Sequence, residues 1–304
     1  MKRKIFCVIG IALTGILAAQ NTLDIITLSG RNAFATGFDS VLPGKAKETG
    51  SFVAITVPVP LTKKTIIYNS LNYFYFHVDN IINSNNSDPL SLHGFILRTG
   101  IVQRLGNGQS IQMLVSPRLM TDMKGGGIKN MQFGGLAVYE KNFNEKLTMG
   151  FGSIVNNEFF GPYLVPVINL NWNITNRFSI SGMLPVYAKI KYKFSEKFNA
   201  GISHFGLTTS FRLNDDNFSG DYIERQSIDL AVFANYQLAK NIYIEGRFGQ
   251  SMNRCYKQYS SDDKVSFAMP LATFGDKRTV KNIQFKDGAF AELRFVYSIP
   301  LPKE

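Results

Sequence analysis

Apolar and polar positions alternate with a period of two along most of the chain, the pattern of a strand with one wet and one dry face. In 186–194 (VYAKIKYKF), Ala188, Ile190, Tyr192 and Phe194 share one side, and Tyr187, Lys189, Lys191 and Lys193 share the other. In 167–175 (VINLNWNIT), Ile168, Leu170, Trp172 and Ile174 alternate with Asn169, Asn171, Asn173 and Thr175. The same period runs through 227–238 (SIDLAVFANYQL), 241–250 (NIYIEGRFGQ) and 288–299 (GAFAELRFVYSI). Outside the first twenty residues no segment carries a helical period, so the expected fold class is all-β.

The breaks between alternating runs are of two kinds. Short polar turns fall at 105–110 (LGNGQS), 143–146 (FNEK), 174–177 (ITNR), 194–197 (FSEK) and 238–241 (LAKN), as hairpins require. Longer polar connections fall between them, at 80–90, 122–131, 157–162, 212–224 and about 252–286. Strands are expected near 23–34, 51–59, 65–78, 91–105, 110–121, 131–143, 146–156, 163–174, 177–184, 187–194, 197–211, 225–238, 241–251 and 287–299. That parse gives fourteen strands, with twelve as the alternative.

Alternating short and long connections are a property of transmembrane β-barrels, which have short periplasmic turns and longer outer loops. A soluble sandwich shares the strand alternation but has no reason to sort its connections. The expected fold is therefore an antiparallel transmembrane β-barrel with its apolar series facing hydrocarbon and its polar series facing a lumen. Aromatic residues near strand ends, such as Tyr73, Phe74, Tyr75, Phe76, Phe159, Phe160 and Tyr163, fit interfacial girdles.

The first twenty residues, MKRKIFCVIGIALTGILAAQ, place Lys2, Arg3 and Lys4 before an apolar run and end on Ala18 and Ala19. This is the three-part pattern of a cleaved secretory signal, with a run too short to span a bilayer as a helix. A signal peptide over 1–20 and a barrel domain over 21–304 are the expected division, which sends the barrel to an outer membrane. The formal charge is +11, from 33 basic and 22 acidic residues, and this bias is too mild to be a nucleic-acid footprint. Cys7 falls in the leader and Cys255 is then alone, so no internal disulfide is expected.

Candidate chemistry is sparse. His77 and His93 flank the 80–90 connection without a ligand set beyond Asp79, and alternation puts His204 on the side of Ile202, facing out near its strand end. Neither 37–45 (GFDSVLPGK) nor Gly125 to Gly127 has phosphate-loop spacing and context. The pairs Asp215 with Asp216 and Asp262 with Asp263 read as solvated loop charge. No catalytic group, cofactor or metal is expected. The informative charges point inward. Asp229, Glu245, Arg247, Glu292 and Arg294 lie on the inner faces of the last three strands, where opposite charges can pair. Lys189, Lys191 and Lys193, with Arg98, Arg104 and Arg118, have fewer evident partners and would make a positive lumen wall.

The C-terminal run Ala291-Glu292-Leu293-Arg294-Phe295-Val296-Tyr297-Ser298-Ile299 resembles the last-strand signal read by barrel-assembly machinery, although Pro300 to Glu304 follow it. The stretch FGPYLVPVINLNWNITNRFSISGMLPVYAKIKYKF at 160–194 resembles an uncharacterised family of outer-membrane β-barrels from Bacteroidota. That resemblance implies fold and location and transfers no functional residue. The expected role is passive or gated passage of small solutes, with anions favoured by the lysine wall. A non-conducting scaffold acting through its outer loops is the alternative, and a lipid-modifying barrel enzyme is third. Outer-membrane lipid, lipopolysaccharide and the assembly machinery are the expected partners, and the barrel is expected to be a monomer that binds no nucleic acid.

Overall fold

The computed structural model describes residues 22–39, 43–83, 87–125, 127–218 and 220–300. The expected leader with Cys7 lies outside the described residues.

Fourteen long strands form the wall: β1 (Thr22–Ala33), β2 (Glu48–Pro60), β3 (Thr65–Asn83), β4 (Ser87–Gly106), β5 (Gln109–Thr121), β6 (Met131–Asn144), β7 (Leu147–Glu158), β8 (Gly161–Asn173), β9 (Phe178–Leu184), β10 (Tyr187–Lys193), β11 (Phe198–Arg212), β12 (Tyr222–Ala239), β13 (Ile242–Tyr259) and β14 (Gly288–Pro300). Each pairs antiparallel with the next, and β14 pairs with β1 from Thr22 opposite Pro300 to Ala33 opposite Phe290, which closes the sheet. Closure removes the edges that would otherwise template aggregation and leaves no backbone of the ladder to face lipid. The count of fourteen stands, and the twelve-strand parse does not.

Large apolar side chains on the outward positions are open to the surroundings. Leu28, Val57, Leu97, Val115, Phe133, Phe151, Trp172, Ile190, Val232, Phe248 and Phe295 are between 40% and 63% exposed. A belt of this kind around a closed barrel requires hydrocarbon as its solvent, so the chain is an outer-membrane type β-barrel. The dry side of 186–194 touches lipid.

Several strands run further outward than alternation predicts. β3 and β4 continue into the polar 80–90 segment, β12 begins at Tyr222 and β13 continues to Tyr259. The outer ends of β12 and β13 are covered on both faces, so alternation is lost there. Tyr222, Ile223, Glu224 and Arg225 are four consecutive residues at 5% exposure or less. The connection after β13 also holds short strands, Phe267–Met269, Ala272–Phe274 and Asn282–Ile283, the last pairing with the end of β3.

The outer end is not an open mouth. The tip of β11 leans across the lumen until Arg212 pairs with Thr121 of β5, and its Ser210 hydroxyl accepts the Phe159 N–H at 2.8 Å beyond β7. Phe76, Leu92, Met120, Phe160, Phe211, Leu213, Tyr222 and Tyr256, drawn from many points around the wall, pack there into one buried apolar core. An apolar core inside a barrel excludes water and stabilises the closed arrangement.

Candidate functional site: the barrel lumen

Below the core, toward the short turns, the inner face is charged. Glu245 of β13 accepts Lys189 Nζ at 2.6 Å, Arg247 Nε at 2.8 Å and Arg294 Nη1 at 2.9 Å, and Arg247 also reaches Glu292 at 3.3 Å. The expected pairing across β13 and β14 is present. Lys189 differs from the expectation of few partners: it crosses the inner face of β11 and β12, passes 4.8 Å from the Phe233 ring centroid and ends on Glu245. Lys193 pairs with Glu196 in the adjoining turn. Lys191 and Arg98 stand exposed inside the barrel, and Arg104 donates to the Lys63 carbonyl at the turn end. On the far wall Glu140 accepts Asn169 Nδ2 at 2.5 Å. The cations of this layer outnumber its carboxylates.

A second layer lies between this one and the apolar core. Glu48 at the start of β2 is fully buried and accepts Arg31 Nε at 3.1 Å, Arg225 Nη2 at 3.2 Å and the Tyr256 hydroxyl at 2.5 Å. Arg225 also sits 3.8 Å from the Phe76 centroid, and Asp229 accepts Arg31 and Ser251. β1, β2, β12 and β13 are thereby tied together from inside. Of these groups only Asp229 was legible as a site residue. Arg225, Ser227 and Asp229 fall on one face at spacing two, a signal that could have found Arg225, whereas Glu48 reads as loop.

Arg118, expected on the positive lumen wall with few partners, is a clamp. Its Nη2 donates to Glu158 at 2.5 Å, and the other Glu158 oxygen accepts the Ser210 N–H at 2.9 Å and the Ser210 hydroxyl at 2.7 Å. Gln132 Nε2 donates to the Ser210 carbonyl at 3.2 Å. Glu158 therefore holds the inward-leaning β11 tip against β5 and β7. The charge is buried, so its partners are needed to offset desolvation.

The connection between β13 and β14 is strapped to the back of β12. Arg278 donates to Glu224 at 2.6 Å and to Tyr222 at 3.2 Å, grips Asp276 through two bonds of 2.9 Å, and lies 4.1 Å from the Tyr259 centroid. Lys281 reaches Asp221 at 2.8 Å. Hydrogen bonding from Arg278 holds the Asp276 carboxyl below its usual range. A lowered carboxyl stabilises the strap in full above its ordinary range, and that contribution is lost progressively as pH falls below it. Amide hydrogen exchange over 260–280, corrected for intrinsic rates, is expected to quicken at pH 3 relative to pH 6 in the native protein but not in Asp276→Asn.

The histidines lie on the outer surface of the wall. His77 Nδ1 contacts the Ser91 hydroxyl at 2.9 Å, His93 Nδ1 contacts the Tyr73 hydroxyl at 2.9 Å, and His204 Nε2 meets the Pro185 carbonyl at 2.8 Å. Among the described residues no carboxylate completes the His77 and Ser91 pair, and Asp79 instead accepts the Lys47 N–H. No group of three or more His, Cys, Asp or Glu side chains converges among the described residues. Cys255 is buried beside Gln226, and Asp215 pairs with Lys124.

Among solved structures the chain is similar to an outer membrane channel from Pseudomonas putida F1, at 11% identity and TM-score 0.45, over 92% of this chain and 98% of that one. It is also similar to a FadL homologue of Pseudomonas aeruginosa, at 9% identity and TM-score 0.39, over 93% and 92%, and to the NanC porin, at 8% and 0.32, over 90% and 100%. These are likenesses of general barrel form. No curated protein matches the chain. Residues 53–286, from β2 through the strapped connection, match the model of a domain of unknown function, DUF6268, and the chain belongs to that family.

Proposed function

We propose that this protein is a gated outer-membrane channel for small solutes, with a lower lumen that favours anions. The observation that carries the reading is the contrast between the two halves of the lumen. The half toward the short turns is lined by exposed and paired charges with cations in excess, as a selectivity wall requires. The outer half is shut by side chains and by the leaning β11 tip, elements that can move while the wall stays intact. Export through an N-terminal leader, insertion by barrel-assembly machinery and contact with lipopolysaccharide belong to the same reading. The packed outer core favours one second reading, a non-conducting barrel that presents its outer loops.

Planar-bilayer recordings decide between them. Native protein is expected to conduct in brief openings, and Glu158→Ala, which frees the β11 tip, is expected to raise the open fraction severalfold, with folding checked by heat-modifiable gel mobility. A reversal potential in a potassium chloride gradient is expected to show chloride preference that weakens when Lys189 and Lys191 become Gln. Silence of the native and the Glu158→Ala protein at every voltage would leave the scaffold.

A further inference from the structure

The wall is notched on one side. β9 ends at Leu184, opposite Ile168 of β8, and β10 begins at Tyr187, opposite Phe205 of β11. Residues 161–167 of β8 and 206–212 of β11 therefore rise past the short β9–β10 hairpin with no wall strand between them. β11 turns inward there, so the outer edge of β8 is left facing a gap.

A piece of the long connection occupies that edge. Phe267–Met269 runs parallel to β8 with Ala268 opposite Tyr163, the Val265 N–H donates to the Phe160 carbonyl at 2.8 Å, and Ala272–Phe274 returns antiparallel. The docking is built into the chain: Gly161 has φ 127°, and a Cβ there would lie 2.7 Å from the Val265 carbonyl oxygen. β8 descends from the outer end toward the short turns, so a hairpin whose first strand is parallel to it points its tip down toward the membrane.

The tip is the wrong residue for a water-facing turn. Leu271 follows Pro270 at φ 67°, a position that favours Gly or Asn, and its side chain is 96% exposed. It neither eases the backbone nor packs against the protein, so its apolar surface needs another partner. Phe274, ring to ring with Phe267 at 6.0 Å, is 52% exposed beside it. The depth supplies that partner. Leu164, next to Tyr163, pairs with Val155 of the lipid-facing belt, itself 50% exposed, and Leu184 at the floor of the notch is 40% exposed. Behind the hairpin the surface is apolar too, with Tyr163, Val165 and Val167 of β8 packed with Met183, Val186 and Leu207.

We propose that the Phe267–Phe274 hairpin is a flap seated by Leu271 in outer-leaflet hydrocarbon, and that it closes a side opening between β8 and β11 through which apolar or amphipathic solutes pass between lumen and lipid. The seating stands on geometry alone, and the passage rests on the channel reading above. Strain at a turn kept for a side chain with no protein contact is the mark of a functional position.

Two measurements test it. Trp172 is the only tryptophan, so Trp172→Phe with Leu271→Trp makes a single reporter at the tip. In phosphatidylcholine vesicles its emission is expected to be quenched by lipids brominated along the acyl chain and shielded from aqueous iodide; quenching by iodide alone overturns the seating. For the passage, Tyr163→Cys with Ala268→Cys in a Cys255→Ser background allows the flap to be locked by oxidation. Cells carrying the reduced protein are expected to take up 1-N-phenylnaphthylamine faster than cells without it. Oxidation is expected to return uptake to the level of cells lacking the protein, while potassium chloride conductance persists. Equal uptake in both states, or conductance without uptake in the reduced protein, overturns the side opening. Absence of both uptake and conductance in the reduced protein removes the channel reading as well.

Discussion

Glu48→Ala is expected to cost about 3–5 kcal/mol of folding stability, because it removes the carboxylate on which one buried and one partly buried guanidinium group and a phenol converge. Asp229 would remain for Arg31, but Arg225, 1% exposed, would keep only hydroxyl and ring contacts. An uncompensated buried charge is the costly case, whereas exchange of a whole buried ion pair for apolar residues is often neutral. Glu48→Leu with Arg225→Met is therefore expected to recover part of the loss. The urea midpoint of refolding into vesicles measures both. A Glu48→Ala protein that folds at the native midpoint would show that the inner layer contributes nothing to assembly.

Leu293→Lys with Phe295→Lys is expected to block assembly. Both side chains face outward near the middle of β14, at 46% and 45% exposure, with Arg294 between them pointing inward to Glu245. A lysine on the lipid face costs about 2–4 kcal/mol near the bilayer midplane, and two together consume most of the stability of a typical domain. The same exchange at inward Ser298, which is buried and bonded to Asp24, sets the charge beside that carboxylate and away from lipid, and is expected to leave heat-modifiable mobility unchanged. If the outward double variant folds as well as the native chain, the assignment of the lipid face is wrong.

Fourteen strands, their short turns and the facing of nearly every mid-strand residue were legible in the sequence. Period two is a local property: once one side of a strand meets lipid and the other water, each residue must suit its side, whatever its partners around the ring. Where that contrast ends, legibility ends with it. At Tyr222 through Arg225 both faces are covered, and at Asn80 to Asn83 the strand runs on into an asparagine-rich stretch, so both stretches read as loop. The inward charges were found by facing, but their roles were not. Arg118 became a clamp and Lys189 a pair reaching past two strands because Glu158 and Glu245 are brought to them by the pairing and curvature of the wall, 40 and 56 residues away.

By itself, then, the chain's alternation determined an antiparallel membrane barrel with a polar lumen, because burial in hydrocarbon acts on every residue separately. The tertiary structure alone decided that the lumen is shut at its outer end, which carboxylate each cation reaches, and that a leucine-tipped hairpin stands where the wall is low. Those features depend on how far each strand rises and where β11 bends, and such distances are set only when the sheet closes on itself.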